Sequence, residues 1–262
     1  MRRVLAVLLL ALLPLPAAAA GGCLPVASAE GRVLPAGLSA APLPAGAAVR
    51  LTFLGHASFL IESAGGISAV TDYNDDVVPP YTPDIVTMDN AHRRHFSPDP
   101  DPGIAVVLRG WRPMDGAVRQ DVTLGDMRVR SIPTSVYGRR ERDSDGSAIF
   151  VFEVAGLCIA HLGHLHQPIT DQLLAELGTI DVALVPIDGV WTMPQEEMLA
   201  AARRIGASVL IPMHYPNQGV LRHFLALTWD NYRLWVRDSP RPVTLSRASL
   251  PRRPTVLVLR SE

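Results

Sequence analysis

From residue 49 onward the chain is a series of short apolar runs cut by Gly, Pro, Asn and Asp, and that punctuation restricts it to a fold built on sheets. The runs at 49–54, 58–62, 68–72, 84–88, 104–108, 127–132 and 148–154 read as strands. Further strands at 157–161, 181–186 and 208–212 alternate with helical signals. One helix is expected to begin at Thr170, to turn Leu173, Leu174 and Leu177 inward and to stop at Gly178. In the next, Thr192, Met193, Pro194 and Gln195 form a capping box with Pro early in the first turn, and Gly206 marks the stop. Strands followed by alternating strand and helix imply sheets covered by helices. A Gly- and charge-rich loop at 137–146, with Tyr137, Arg139 and Arg140, reads as a solvated hairpin or as a flap.

With 262 residues, 48% hydrophobic and 19% charged, the chain can bury a full core, and its formal net charge of -1 leaves no footprint for nucleic acid. Met1-Arg2-Arg3, an apolar stretch through Leu13, and the small residues up to Ala20 follow the order of a secretory signal, so residues 1–22 are expected to be removed. That stretch falls short of the roughly 20 residues a spanning helix needs, and an exported, otherwise soluble protein is expected. Residues 23–48, rich in Ala, Pro, Gly and Leu without a period, read as a tether, and 49–262 as the folded domain. Cleavage among the alanines gives a free periplasmic protein. Cleavage in Ala20-Gly21-Gly22-Cys23, an imperfect lipobox, gives one held to the membrane by a lipid on Cys23. Cys158 lies inside an apolar strand and reads as a small buried hydrophobe, so no disulfide framework is expected.

Four of the eight histidines fall in two clusters, Asn90-Ala91-His92-Arg93-Arg94-His95 and His161-Leu162-Gly163-His164, each directly after a strand-like run. His214, in Pro212-Met213-His214-Tyr215, comes after a third. One histidine at a strand end says little; paired ligand-type side chains at several strand ends point to a convergent metal site. No serine or cysteine has the setting of a nucleophile, since Gly-x-Ser-x-Gly is absent and Cys158 reads as buried.

Together with the segment Leu51-Thr52-Phe53-Leu54-Gly55-His56-Ala57-Ser58-Phe59-Leu60, Thr71-Asp72 and Val185-Pro186-Ile187-Asp188-Gly189, these motifs resemble the metallo-β-lactamase superfamily from about residue 49 to 215. Within it the chain looks most like the ascorbate-6-phosphate lactonase-like branch of metal-dependent hydrolases. The resemblance implies an α/β (α+β) fold, a four-layer αββα sandwich, with a binuclear metal site on one rim. It also implies a ligand set mapped onto Asn90, His92, Arg94, His95, His161, His164 and His214. Asn90 stands where the first His of the pattern belongs, Arg94 in place of an Asp, and His164 in place of the bridging Asp. By the pattern His92 and His161 serve one metal, while His95 and His214, joined by His164, serve the other.

Losing two carboxylates for one Arg and one neutral His moves the formal charge of the ligand set from -2 to about +1. Imidazole cannot bridge two metals as a carboxylate does, and an Asn carbonyl is a weak zinc ligand. One Zn2+ or similar ion is therefore expected rather than two, on His95, His164 and His214, because three imidazoles with an open fourth position suffice. Asp72 and Asp89 are the nearest carboxylates that could replace the lost Asp as ligand or base, and each also suits a turn or cap. Arg94 either pairs with an anionic group of a small-molecule substrate or swings out to solvent. His56 faces the pocket by the pattern, contacting substrate or supporting a ligand, or else packs its own turn. The functional expectation is hydrolysis of an ester, lactone or phosphodiester by a metal-bound hydroxide. Its rival is a non-catalytic protein whose remodelled pocket holds an anionic ligand or a metal.

Overall fold

Side chains along the strand Ser147–Val154 alternate strictly between two clusters: Ala148, Phe150, Phe152 and Val154 join one, Ile149 and Val151 the other. A strand buried on both faces lies inside a stack of layers. The computed structural model describes residues 22–24, 32–34, 42–112, 116–135, 146–237 and 239–261, and it arranges them as two packed sheets. The first has nine strands in the order Arg32–Leu34, Asp121–Leu124, Met127–Thr134, Ser147–Val154, Leu157–His161, Val182–Pro186, Val209–Met213, Thr255–Val258 and Arg233–Val236. The second has six, in the order Val243–Leu245, Val49–Gly55, Ser58–Ser63, Ser68–Val70, Ile85–Met88 and Val106–Arg109. Between them Phe53, Phe59, Ile61, Phe150, Phe152 and Leu184 form the inner core. Each such side chain contributes about 1.5–3 kcal/mol by leaving water.

Three helices, α1 (Asp171–Leu177), α2 (Gln195–Ile205) and α3 (Gln218–Thr228), cover the outer face of the nine-stranded sheet. Leu177, Met198 and Phe224 from them pack on Ile149, Val151 and Val185. This is the sandwich the resemblance implied. Its other outer face differs: Tyr73, Tyr81, Phe96 and Trp111 close the six-stranded sheet over Leu60, Val70 and Met88, with no helix there among the described residues.

The helix starts divide between expectation and correction. Thr170 caps α1, its hydroxyl accepting from the Leu173 amide at 3.1 Å, and Gly178 ends it at φ +70°. The capping box at Thr192 does not form. The Thr192 hydroxyl donates instead to Asp188 Oδ2 at 2.7 Å, and α2 starts after Pro194 with no side-chain cap. A charged acceptor close by in the chain is simply the stronger partner. The helix α3 and the strands Asp121–Leu124, Arg233–Val236, Val243–Leu245 and Thr255–Val258 went unread in the sequence.

The largest correction concerns the cysteines. Cys23 and Cys158 are joined in a disulfide across 135 residues, both nearly inaccessible. The Cys23 carbonyl accepts from the Thr179 amide at 2.8 Å and its amide donates to Glu153 at 3.4 Å, so the segment docks by its backbone as well. Cys158 is buried as expected, but its sulfur is spent on this bond. The stretch read as a tether is likewise held at Arg32–Leu34, which pairs in parallel with Val122, Thr123 and Leu124 at the sheet edge. Residues 1–21 of the export signal and 137–145 of the charged loop lie outside the described residues.

Candidate metal centre

The strands Leu157–His161, Val182–Pro186 and Val209–Met213 run parallel, so their C-terminal ends deliver side chains to one edge: His161 to His164, Asp188, and His214. The opposite sheet sends the 55–58 turn, Asp72 and Asp89 to the same edge, which is where α/β sheets place ligands. The His214 amide donates to the His56 carbonyl at 2.7 Å and the Ala148 amide to the Asp89 carbonyl at 3.2 Å, which stitches the two sheets together along this rim.

Backbone strain collects here. Among the described residues, non-glycine residues with left-handed φ are His56 (+49°), Asp72 (+44°), His214 (+56°) and Ala155 (+48°), and only Ala155, in a hairpin turn, is away from the rim. Such a residue costs about 1–3 kcal/mol and persists where its surroundings hold it. Gly163 answers a harder demand: at φ +57°, a Cβ there would run into Asp89 Oδ2 and meet the Ala148 carbonyl at 2.7 Å. The His161-Leu162-Gly163-His164 loop is thus wrapped onto Asp89, which also accepts the His164 amide and the Ser147 hydroxyl.

Two imidazoles define the centre. His95 is fully buried, with Nδ1 at 2.6 Å from Asp72 Oδ2 and 3.1 Å from Asp89 Oδ1. His214 places Nδ1 at 2.9 Å from Asp188 Oδ2. A carboxylate on each Nδ1 keeps a proton there and turns the Nε2 lone pair toward the opening. The two Nε2 atoms then face each other at 3.1 Å. Two lone pairs so placed repel unless a cation lies between them. Two imidazole nitrogens on one tetrahedral zinc are about 3.3 Å apart, so the spacing fits a shared ion. His56 completes the set: its Nε2 is buried without a hydrogen-bond partner, and one ligand atom each from His56, His95 and His214 lie within 4.8 Å of one another. Three imidazoles and no sulfur suit Zn2+ or a similar divalent ion.

The charges support the same arrangement. Burial opposes protonation of His95, but Asp89 and then Asp72 overcome it and push its pKa up to about 11, so without a metal a proton takes the cation's place. Burial and then the cationic tendency of His214 and His95 hold His56 down at about 3. Burial also holds His164 at about 3 and His161 at about 4. Burial and the neighbouring Asp89 raise Asp72 well above the usual carboxylate range, while His95 outweighs burial and lowers Asp89. These two carboxylates act as one charged unit behind the His95 ring.

The structure brings some expected ligands together and scatters others. His164 flanks the centre, its ring 5.1 Å from that of His95 and 5.3 Å from that of His214, and its Nδ1 faces His166 Nε2 at 2.8 Å. His56, expected to touch substrate or pack its turn, has the better-placed nitrogen. His161 is turned away: its Nε2 donates to the Ala57 carbonyl at 2.8 Å, which supports the His56 turn, and its Nδ1 is buried without a partner. His92 is exposed, with its ring 5.9 Å from that of His95, and Asn90 uses its side-chain oxygen to accept the His92 amide at 2.8 Å. That local turn occupies the atom that would have ligated. Arg94 is exposed, its carbonyl held by Asn74 at 3.0 Å, and its charge lowers the pKa of both His56 and His92. Asp72 and Asp89 neither ligate beside His95 Nε2 nor face the opening; both orient the ring from behind. The set Asp72, Asp89 and His95 could itself grip an ion, but all three are fully enclosed. Asp188, inside the Val185 to Gly189 motif, carried no expected role. Its position just past the end of the second rim strand, as His161 closes the first and His214 follows the third, was the available signal.

Residues 50–214 match the β-lactamase superfamily domain. A metal-dependent hydrolase of Methanoculleus marisnigri is 31% identical over 199 residues, which span 68% of this chain and 85% of that protein. Another of that description, from Methanosphaerula palustris, is 29% identical over 64% of this chain and 84% of its own length. Among solved structures, one described as a zinc-dependent hydrolase of the metallo-β-lactamase superfamily from Thermotoga maritima superposes with a TM-score of 0.60 at 27% identity, covering 82% of this chain and all (100%) of that one. The metallo hydrolase Igni18 of Ignicoccus hospitalis, at a TM-score of 0.54 and 18% identity over 76% of this chain and 98% of its own, shares the fold.

Proposed function

The chain belongs to the β-lactamase superfamily, and from that premise we propose that it is an exported metal-dependent hydrolase using one ion to cleave an ester, lactone or phosphodiester bond in a small anionic substrate. The observation that carries this reading is the convergence of His56, His95 and His214, with carboxylates behind two of the three rings. A divalent ion bound there supplies Lewis acidity, polarising the scissile group and lowering the pKa of water to about 7. The protein's own part is positional. Asp72 with Asp89 fixes the tautomer of His95, Asp188 fixes that of His214, and His161 braces the turn that presents His56. Arg94, exposed and close enough to depress His56, offers paired donors to a phosphate or carboxylate entering from solvent. Dialysed protein is expected to retain close to one ion per chain and to hydrolyse a p-nitrophenyl ester or bis(p-nitrophenyl) phosphate. Two tightly held ions per chain would refute the single-ion reading.

One observation favours the non-catalytic alternative. The three carboxylates around the centre are all committed, Asp72 and Asp89 to His95 Nδ1 and Asp188 to His214 Nδ1 and its own loop, which leaves none of them to act as base at the opening. A protein that keeps its ion and binds organophosphonates, yet turns over none of these esters, would take that reading.

Export is supported by the disulfide, since such bonds persist in oxidising compartments. It also speaks for one of the two fates of Cys23, because a sulfur in a disulfide cannot carry a thioether lipid. The free periplasmic form is therefore the one we propose. Intact mass of the mature chain should show no acyl mass and two alkylatable thiols only after reduction.

A further inference from the structure

Two groups of large apolar side chains stand exposed among the described residues outside isolated positions: Val190 and Trp191 on the loop after Asp188, and Trp229 with the edge strand Arg233–Val236. Trp191 is 58% exposed and Val190 78%, while the next two residues, Thr192 and Met193, are buried. Exposure of one apolar residue needs no explanation, but an exposed tryptophan on an immobilised loop at a site's edge does.

The loop is immobilised by one carboxylate. Asp188 Oδ1 accepts the amides of Val190 at 2.8 Å, of Trp191, and of Thr192 at 3.1 Å. Its Oδ2 accepts the Thr192 hydroxyl at 2.7 Å and faces His214 Nδ1 at 2.9 Å. The same group that aims His214 at the centre therefore winds the next four residues around itself and leaves Trp191 no local route back to the core. The Met193 amide, donating to the Leu165 carbonyl at 3.4 Å, ties the far end of the loop to the segment carrying His164 and His166. Trp191 is three residues from Asp188, a chain distance of at most about 10 Å. One carboxylate thus holds the Trp191 amide on Oδ1 and the His214 ring on Oδ2, so the backbone that carries the exposed indole is fixed next to a ring of the centre, while Arg94 lies on the loop of His95.

We propose that Trp191, with Val190, is a specificity platform that receives a flat apolar group, aryl in the simplest case, on a substrate whose anionic portion reaches the metal centre. The anionic portion rests on the function proposed above; the platform does not. A rigid aromatic with one face in water gains by covering that face, and stacking adds to the area buried. The site then selects aryl esters or aryl phosphodiesters over their short alkyl counterparts.

Phenylphosphonate and methylphosphonate, titrated calorimetrically into the metal-loaded protein, test this. The phenyl compound should bind about fivefold more tightly. Trp191→Ala should bring it to the level of the methyl compound without changing the latter, and should remove the quenching of tryptophan fluorescence that accompanies binding. Trp229→Ala, 80% exposed in the parent and at the end of α3 away from the rim, should change nothing. Equal affinity for the two compounds, binding of neither, a phenyl preference that survives Trp191→Ala, or one lost equally in Trp229→Ala would each overturn the platform. Metal content on the same samples keeps the two readings apart: a metal-free protein that still prefers phenyl fails the hydrolase reading alone, and one ion per chain without that preference fails the platform alone.

Discussion

His95 and His92 sit three residues apart on one loop, yet they live in different chemistries. The His95 side of the rim, shared with His214 and His56, is buried, and its rings are oriented by Asp72, Asp89 and Asp188. Of the pair that the resemblance assigned to a second metal, His92 lies in solvent and His161 faces Ala57, while on the loop of His92 the mapped Asn90 is spent on a local turn and Arg94 is exposed. The difference is less in the ligands than in what stands behind them. An imidazole becomes a metal ligand when something fixes its tautomer and aim, and only one half of this rim supplies that.

The sharpest way to break this contrast is to remove a ring from the built half. His95→Ala or His214→Ala should reduce retained metal from about one ion per chain to near none and abolish hydrolysis, measured by elemental analysis and ester turnover on protein with an unchanged circular dichroism spectrum. Asp188→Asn should leave the ring but loosen its aim, weakening metal affinity by about 10- to 100-fold in a chelator competition; a change under twofold would show that orientation at His214 comes from elsewhere.

The scattered half should respond in stability instead. His161→Ala strips the Ala57 carbonyl of its donor and should lower the free energy of unfolding by about 1–3 kcal/mol in urea while metal stoichiometry stays put. Loss of the ion in that variant would restore His161 to the ligand set. The smallest effect belongs to His92→Ala, which should shift neither metal affinity nor unfolding midpoint measurably. Arg94→Ala should likewise spare the metal but weaken methylphosphonate binding by about fivefold or less, as suits an exposed charge.

The strands and the rim were legible because period and punctuation are local. Ten apolar runs bounded by turn residues became ten strands, and the histidines at their ends converge because parallel neighbours end at one edge. What failed was long-range. Nothing near Cys23 or Cys158 announces a bond across 135 residues, and a cysteine at a signal boundary has a competing local explanation. Thr192 obeyed a helix-start rule until Asp188, four residues back, took its hydroxyl. His161 matched its motif as well as His95 did, and only three-dimensional partners separate them. His56 was placed at the rim, but its promotion above His164 depends on which ring nitrogen lacks a partner, a property no motif encodes.

The left-handed backbone at His56 carries one more implication. Glycine would sit at φ +49° without penalty, so replacing His56 by glycine should relax the turn even as it deletes a ligand. A molecule that had abandoned its ion would become sturdier by that single exchange. On the function proposed above, the posture of this imidazole is what ligation at the rim costs the fold, and thermal resilience is bounded by it.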